Sequence, residues 1–350
     1  MKRITSITAV AFSAFICLTS CTVNADEKIS SDTKALPSRV FNALDYGAVS
    51  DDKTDNTKAF SACIEAVIEA GGGTLYLPAG VYRGRIVVPP VPKSVPSWIT
   101  VEIVGEIEPA PVFGTIGAFP PWDKGTILRC LEKSGPAVIS VDSTPGAFYS
   151  SFSAVNLVIK KLDVRTYDDP AIGGIDLRNA AQCKLEDVFV NTDVYCVQAS
   201  KPTHTTSGLI TPACNNAAMT ILRNVVVTGY HTGILVNEHT DADNIVVANN
   251  NNGLEFLFAH HASRFARVGA YGNRNNITIK GRHAFSIEQL NIERPPSLKA
   301  NDINDPENLG IADINYWVVI GGVGATEDFT RNGGASIRAR RIGSPPAEGK

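Results

Sequence analysis

The sequence predicts an all-β fold of solenoid type, with strands wound into stacked turns and a helix at the N-terminal end. Three observations predict it. First, Asn or Asp followed by β-branched residues recurs along the chain, as Asp163-Val-Arg165, Asp187-Val-Phe-Val190, Asn224-Val-Val-Val227, Asn244-Ile-Val-Val247 and Asn291-Ile292. A second phrase follows each at about ten residues: Gly174-Ile-Asp-Leu177, Gly233-Ile-Leu-Val236, Gly253-Leu-Glu-Phe256 and the variant Asn276-Ile-Thr-Ile279. Second, the steps from Asn224 to Asn244 and from Gly233 to Gly253 are both 20 residues. A fixed period of that length marks a solenoid and is about half a propeller blade. Third, Ala59, Phe60, Cys63, Ile64, Val67 and Ile68 stand at helical spacing ahead of the repeats, with Asp55 as N-cap.

The elements follow in chain order. Residues 1–21 read as a targeting segment: Lys2 and Arg3 precede an apolar run, Ile7 to Leu18, too short to span a bilayer. The run ends Leu18-Thr19-Ser20-Cys21, which resembles a bacterial lipoprotein signal, with Cys21 lipidated; the alternative is ordinary secretion with cleavage near Ala25. Lipid at Cys21 would hold the protein at the cell envelope, facing the periplasm or the outer surface. Residues 22–38 lack apolar period and read as a flexible tether. One domain then runs over 39–345. Its first segment (Phe41, Leu44, Tyr46) meets Gly47 and a loop holding Asp51, Asp52 and Asp55. Gly71-Gly72-Gly73 stops the helix, and the strand Thr74–Leu77 reaches a Pro78-Ala-Gly80 turn. The aspartates read as loop and cap chemistry. A Pro-rich insertion, Pro89 to Trp122, holds Trp98 and Trp122, which read either as packing over the first turns or as platforms for sugar rings. A longer step from Asp187 to Asn224 implies an inserted loop at about 200–217. Tyr316–Ile320 and Ala335–Arg338 close the C-terminal end.

The block Asp45-Tyr46-Gly47-Ala48, Asp51-Asp52, Thr54 to Ala59, and Gly72-Gly73-Thr74-Leu75-Tyr76-Leu77-Pro78-Ala79-Gly80-Val81-Tyr82 resembles the N-terminal entry of the pectate-lyase-like superfamily. About fifteen positions match in order over about forty residues. The resemblance implies a single-stranded right-handed parallel β-helix with an N-terminal capping α-helix. It does not fix a reaction, since one fold hosts many chemistries.

Net charge is −3, from 32 basic and 35 acidic residues, with no basic patch or aromatic platform, which argues against nucleic acid. Beyond Cys21 the cysteines are Cys63, Cys130, Cys183, Cys196 and Cys214; an odd number at irregular spacing reads as small core residues, with Cys196 and Cys214 as the one pair to consider. No His/Cys/Asp cluster has metal-ligand spacing, so no cofactor is expected; the best calcium candidate is Asp241 and Asp243 beside Glu238. Whether the protein is a monomer or a trimer is open.

Strand alternation sorts the faces. Ile175, Ile234, Leu254, Ile277 and, by alignment, Cys196 point inward. Asp176, Val197, Leu235, Glu255 and Thr278 point outward, as do Arg178, Ala199, Asn237, Leu257 and Lys280 two positions on. In this fold, carbohydrate usually lies along such a sheet. Asp176, Arg178, Asn237, Glu255 and Lys280 are therefore groove candidates or simply solvated polar residues. His239, His260 and His283, with His261 adjoining, follow these strands at similar offsets and form either a cleft rim or a ladder of turns. Glu288 and Glu293 read as surface charge or part of a binding face.

Polygalacturonases carry NTD, DD, GHG and RIK motifs on successive turns. Asn191-Thr192-Asp193 is similar to the first and Thr278-Ile279-Lys280 to the last, but Gly229-Tyr230-His231 and Asn251-Asn252-Gly253 stand where the middle two belong. Inverting hydrolysis needs two carboxyl groups, so that site is rejected, and a differently built hydrolase would use Glu255 with Asp193 or Asp241. β-Elimination by a polysaccharide lyase needs a base and a cation to neutralise the sugar carboxylate. Tyr230, His231, Lys280, Arg282, His239 and His260 supply those types. The expected function is cleavage of an acidic, uronate-containing, pectin-like polysaccharide, as hydrolase or lyase, with a non-catalytic carbohydrate-binding or structural β-helix as the alternative.

Overall fold

Parallel pairing organises the strands. A computed structural model describes residues 39–91, 98–107, 125–142, 155–167, 171–192, 206–213, 219–257, 262–281, 284–293, 301–305, 311–320 and 336–343. The first sheet holds fourteen strands, its run of long ones being Val155–Thr166, Gln182–Thr192, Met219–Thr228, His239–Ala248, Ala262–Tyr271, Ala284–Glu293 and Ile311–Ile320. The second sheet holds eight: Ile86–Val88, Ile139–Val141, Ile175–Asp176, Ser207–Ile210, Thr232–Val236, Asn252–Phe256, Asn275–Ile279 and Asn301–Asn304. From Val155 to Ile320 the chain alternates between the sheets, and each strand bonds to its counterpart one turn earlier. This is a right-handed parallel β-helix, as the resemblance implied.

A left-handed residue bends the long strands at Lys161 (φ 53°), Asp187 (57°), Asn224 (54°) and Asn244 (57°). The pairing skips it: Glu186 faces Arg223 and Val188 faces Val225, with nothing assigned to Asp187 and Asn224 between them. Each long strand thus becomes two legs, and each coil has three faces. Asn and Asp tolerate this backbone better than most residues. They also bond to one another along the stack. Asn224 Nδ2 donates to Asp187 Oδ1 (2.9 Å), and Asn244 Nδ2 donates to Asn224 Oδ1 (2.7 Å). Two expected members are not in this ladder. Asp163 lies opposite Phe189, two positions past the bend, and Lys161 takes its place. Asn291 lies opposite Gly269, also past the bend.

The interior is a set of columns. Ile86, Ile139, Ile175, Leu209, Ile234, Leu254, Ile277 and Ile303 are linked in register and all are buried. Burying each such side chain stabilises the coil by about 1.5–3 kcal/mol before entropic costs. Leu209, not Cys196, fills the fourth coil, because Ser207–Ile210 is a strand within the segment expected to be a loop. At the turns a second amide ladder faces inward. Tyr230 N donates to Asn250 Oδ1 and Asn250 N donates to Asn273 Oδ1, both at 2.9 Å. Both asparagines are buried, so they satisfy turn amides that the strands cannot reach.

At the N-terminal end, the helix Thr57–Glu69 buries Phe60, Cys63, Ile64, Val67 and Ile68. Its N-cap position is Asn56 rather than Asp55, although Asp55 Oδ1 still accepts from Thr57 N at 3.0 Å. Asn56 instead ties the loop down, accepting from Val49 N (2.7 Å) and donating to Arg83 O (3.0 Å). Asp51 accepts from Lys53 N and Thr54 N, and Asp52 pairs with Arg83 and Arg129, so these aspartates are structural. Gly73 is required: a Cβ there would lie 2.6 Å from Arg39 O. Cys63, Cys130 and Cys183 are buried. Trp98 is exposed. Cys21 with residues 1–38, Trp122, Cys196 and Cys214 lie outside the described residues.

Asn224→Ala removes two ladder bonds and leaves a residue without a compensating amide at φ 54°. It should lower stability by about 1–3 kcal/mol, read as a fall in Tm, and Asn224→Gly should recover part of the loss.

Candidate active site

The site is built on the outer face of the second sheet. Register sets Leu235, Glu255 and Thr278 side by side on successive coils, between the inward residues Ile234, Leu254 and Ile277 and the buried Val236, Phe256 and Ile279. Three positions before this row, Thr232, Asn252 and Asn275 also align. These two rows converge on one carboxylate. Glu255 Oε2 accepts from Thr232 Oγ1 (3.1 Å) and Asn252 Nδ2 (2.8 Å). Glu255 Oε1 meets Lys280 Nζ at 2.8 Å. Asn252 is held in that orientation because its Oδ1 accepts from Asn275 Nδ2 (2.8 Å) and Thr278 Oγ1 (3.1 Å). Glu255 is buried, with 7% of its side chain exposed, whereas Lys280 shows 48%. Lys280 extends the strand pairing by donating its backbone N–H to Phe256 O at 2.8 Å. The result is a fixed acceptor beside a reachable cation.

The expected residues fall into three groups. Glu255 and Lys280 come together, and His231 joins through Thr232, whose Oγ1 is 3.3 Å from His231 Nδ1. Asp176 and Arg178 pair with each other at 2.5 Å. Asp176 stands three coils from Glu255 by way of Ile210 and Leu235, or about 14 Å at ~4.8 Å per strand. They lie along the same sheet, not in the cluster. Asp193, His260, His261, Arg282 and His283 lie outside the described residues.

Other expectations need correction. Tyr230 is buried inside the coil, where its hydroxyl shares a 2.8 Å hydrogen bond with Thr166 Oγ1. Burial raises its phenol above the usual range, so a polymer cannot reach it as a base. Asn237 is also buried, and its Nδ2 donates to Thr211 O at 2.9 Å. His239 opens a first-sheet strand, lies in register with Met219, and its Nδ1 is 3.0 Å from Ala262 O. The other members of the expected histidine column, His260 and His283, lie outside the described residues. Asn191-Thr192 end a first-sheet strand, and Asn191 donates to Asp163 Oδ1 at 2.7 Å, away from the sheet that carries Lys280. The calcium candidates are matched by arginines: Asp241 by Arg223 (2.5 Å) and Arg264 (3.1 Å), and Asp243 by Arg267 (2.8 Å). Among the described residues no group of three or more His, Cys, Asp or Glu could hold a metal ion. Glu288 pairs with Arg264.

Thr232, Asn252 and Asn275 are the residues that the sequence reading passed over as site residues. The 20-residue period pairs Thr232 with Asn252, two positions ahead of Ile234 and Leu254. Alternation would turn them inward with Ile234 and Leu254, which is why they were passed over; their bonds to Glu255 show that alternation no longer holds at the start of these strands.

Coils, capping helix and polar sheet face define the class, a parallel β-helix of the pectate-lyase-like superfamily. The family model described as rhamnogalacturonase A/epimerase, pectate lyase-like matches residues 40–263, and the chain belongs to that family. Over 44 residues it is 57% identical to mannuronan C5-epimerase AlgE1 of Azotobacter vinelandii, a stretch that is 13% of this chain and 3% of that protein. Over 43 residues it is 56% identical to alginate lyase 7 of the same organism, 12% of this chain and 5% of that one. The chain thus spans a small part of these relatives' length. The solved DFA-IIIase of Arthrobacter chlorophenolicus A6, in complex with GF2, aligns over 87% of this chain and 81% of its own, at 13% identity and a TM-score of 0.43.

Glu238, buried at the turn after Thr232–Val236, has its carboxyl pushed up to about 7 by burial, with neighbouring His239 acting in the opposite direction. A raised folded-state value favours the folded protein below the unfolded value of about 4.3 and loses that contribution as pH rises through about 7. Glu238→Gln should therefore be more stable than the parent at pH 8, by on the order of 1–3 kcal/mol. The difference should fade toward pH 4 in denaturant titrations.

Proposed function

We propose that this protein acts on a uronate-containing polysaccharide by removing the proton beside the sugar carboxyl, as a lyase or a C5-epimerase. The observation that carries this reading is the Glu255–Lys280 pair, a buried acceptor fixed by neutral donors next to a half-exposed ammonium. Glu255 is the base and Lys280 faces the sugar carboxylate. As the C5–H bond breaks, negative charge spreads into that carboxylate, and a positioned cation stabilises it. In elimination the electron pair forms the C4–C5 double bond, the C4–O bond breaks, and the proton passes to the leaving oxygen. In epimerisation the proton is replaced from the opposite face. The relatives named for alginate lysis and mannuronan epimerisation support this pair of reactions. Hydrolysis would need a second carboxyl group within about 10 Å of Glu255; of its candidates, Asp193 lies outside the described residues and Asp241 stands on a first-sheet strand, paired with Arg223 and Arg264. The same reading places the enzyme in the bacterial cell envelope, tethered through lipid on Cys21, with the polysaccharide as its partner.

Two experiments test this. Protein incubated in D2O with alginate, polygalacturonate and rhamnogalacturonan should give either ultraviolet-absorbing unsaturated ends or deuterium at C5. Glu255→Gln should lower that rate by about 10²–10⁴-fold. New reducing ends without either signal would mean hydrolysis instead. In cells, Cys21→Ala should move the protein from the membrane fraction to the soluble one; unchanged membrane association would contradict the lipid tether.

A further inference from the structure

Resting on the reading of this sheet face as a uronate site, we infer that Lys280 is a specificity-determining residue that exchanges one carboxylate for another. It holds Glu255 in the free protein and transfers to the sugar carboxylate on binding, which releases Glu255 for reaction.

The asymmetry of the pair carries this. Glu255 cannot follow Lys280, because its Oε2 is held by Thr232 and Asn252, and Asn252 is held in turn by Asn275 and Thr278. Lys280 has no such restraint. Its ammonium meets Glu255 Oε1 alone among the described residues, at the end of a flexible four-carbon stem that is half exposed. When the ammonium leaves, the buried Glu255 keeps its two neutral donors, Thr232 and Asn252, which lower the cost of losing its cation, so a second carboxylate arriving from solvent competes for Lys280. The neighbouring position on the preceding coil is Leu257, exposed and uncharged, so no acidic side chain there blocks the approach.

Selection follows from the same geometry. A sugar bearing a free carboxylate draws Lys280 away and exposes the second oxygen of Glu255. A neutral or esterified sugar offers nothing to the ammonium, so Glu255 stays paired and is a poorer base. Discrimination thus comes from withholding the base as well as from attraction.

The test is calorimetric titration of the full chain with mannuronate, guluronate and galacturonate oligomers and their methyl esters. The parent should prefer at least one acid oligomer over its ester. Glu255→Gln removes the competing charge, so that acid oligomer should bind about fivefold tighter or more, because the ion pair given up on binding has a buried member, with the ester unchanged. Lys280→Met alters a half-exposed side chain and does not depend on the buried position; it should bring acid binding down to the level of the ester. Unchanged or weaker acid binding by Glu255→Gln, a preference that survives Lys280→Met, or no binding of any oligomer would overturn the inference. Turnover separates this from the reaction proposed above. Tighter binding by Glu255→Gln without C5 chemistry in the parent would sink the reaction alone. C5 chemistry with unchanged Glu255→Gln binding would sink the exchange alone.

Discussion

Parallel hydrogen bonding between successive coils is the constraint on which the rest of the molecule depends. Once one coil pairs with the next, every residue is repeated at the strand spacing of about 4.8 Å. Side chains then meet their counterparts one period later rather than their sequence neighbours. That is why eight aliphatic residues from Ile86 to Ile303 form one buried column. It is also why Asn244 finds Asn224, and Asn224 finds Asp187, across 20 and 37 residues of sequence. The same arithmetic brings Thr232, Glu255 and Lys280 together. A one-residue slip would turn Glu255 inward in place of Leu254, and burying an unpaired charge there would cost far more than the slip could return.

The faces of the coil use charge differently. Along the first sheet several carboxylates are matched by arginines: Asp241 by Arg223 and Arg264, Asp243 by Arg267, Glu288 by Arg264, Asp52 by Arg83 and Arg129. Several of these pairs are half exposed, and such pairs add little stability individually, but they leave few charges to recruit a ligand. On the second sheet, Glu255 is buried under neutral donors, and the cation it meets among the described residues is half exposed. This contrast in restraint, more than the count of charges, is the ground for proposing that sheet as the functional face.

Much of this was legible in the sequence, and the failures have physical causes. The 20-residue period is printed in the chain, so the inward Ile175, Ile234, Leu254 and Ile277 and the outward Glu255 and Lys280 could be assigned by alternation. The capping helix was equally clear from its apolar spacing, though its N-cap shifted by one because Asn56 serves as a tie between loop and strand rather than as a side-chain cap. Reading failed where the period broke. The longer step between Asp187 and Asn224 hid the strand Ser207–Ile210, and Cys196 was placed where Leu209 belongs. Tyr230 and Asn237 were misjudged because they sit at turns, where alternation no longer reports direction; both are buried by tertiary bonds to distant coils.

The central claim is that an acidic glycan lies along the second sheet with its carboxylate at Lys280. A crystal structure of the Glu255→Gln protein soaked with a uronate oligomer tests it most directly. The account predicts sugar density crossing Leu235, position 255 and Thr278, with a carboxylate oxygen at hydrogen-bonding distance from Lys280 Nζ. Ordered sugar on the outer legs of the long strands, beside Asp163 and Arg165 or along the Asp241–Arg264 pairs, with the second sheet bare, would contradict it.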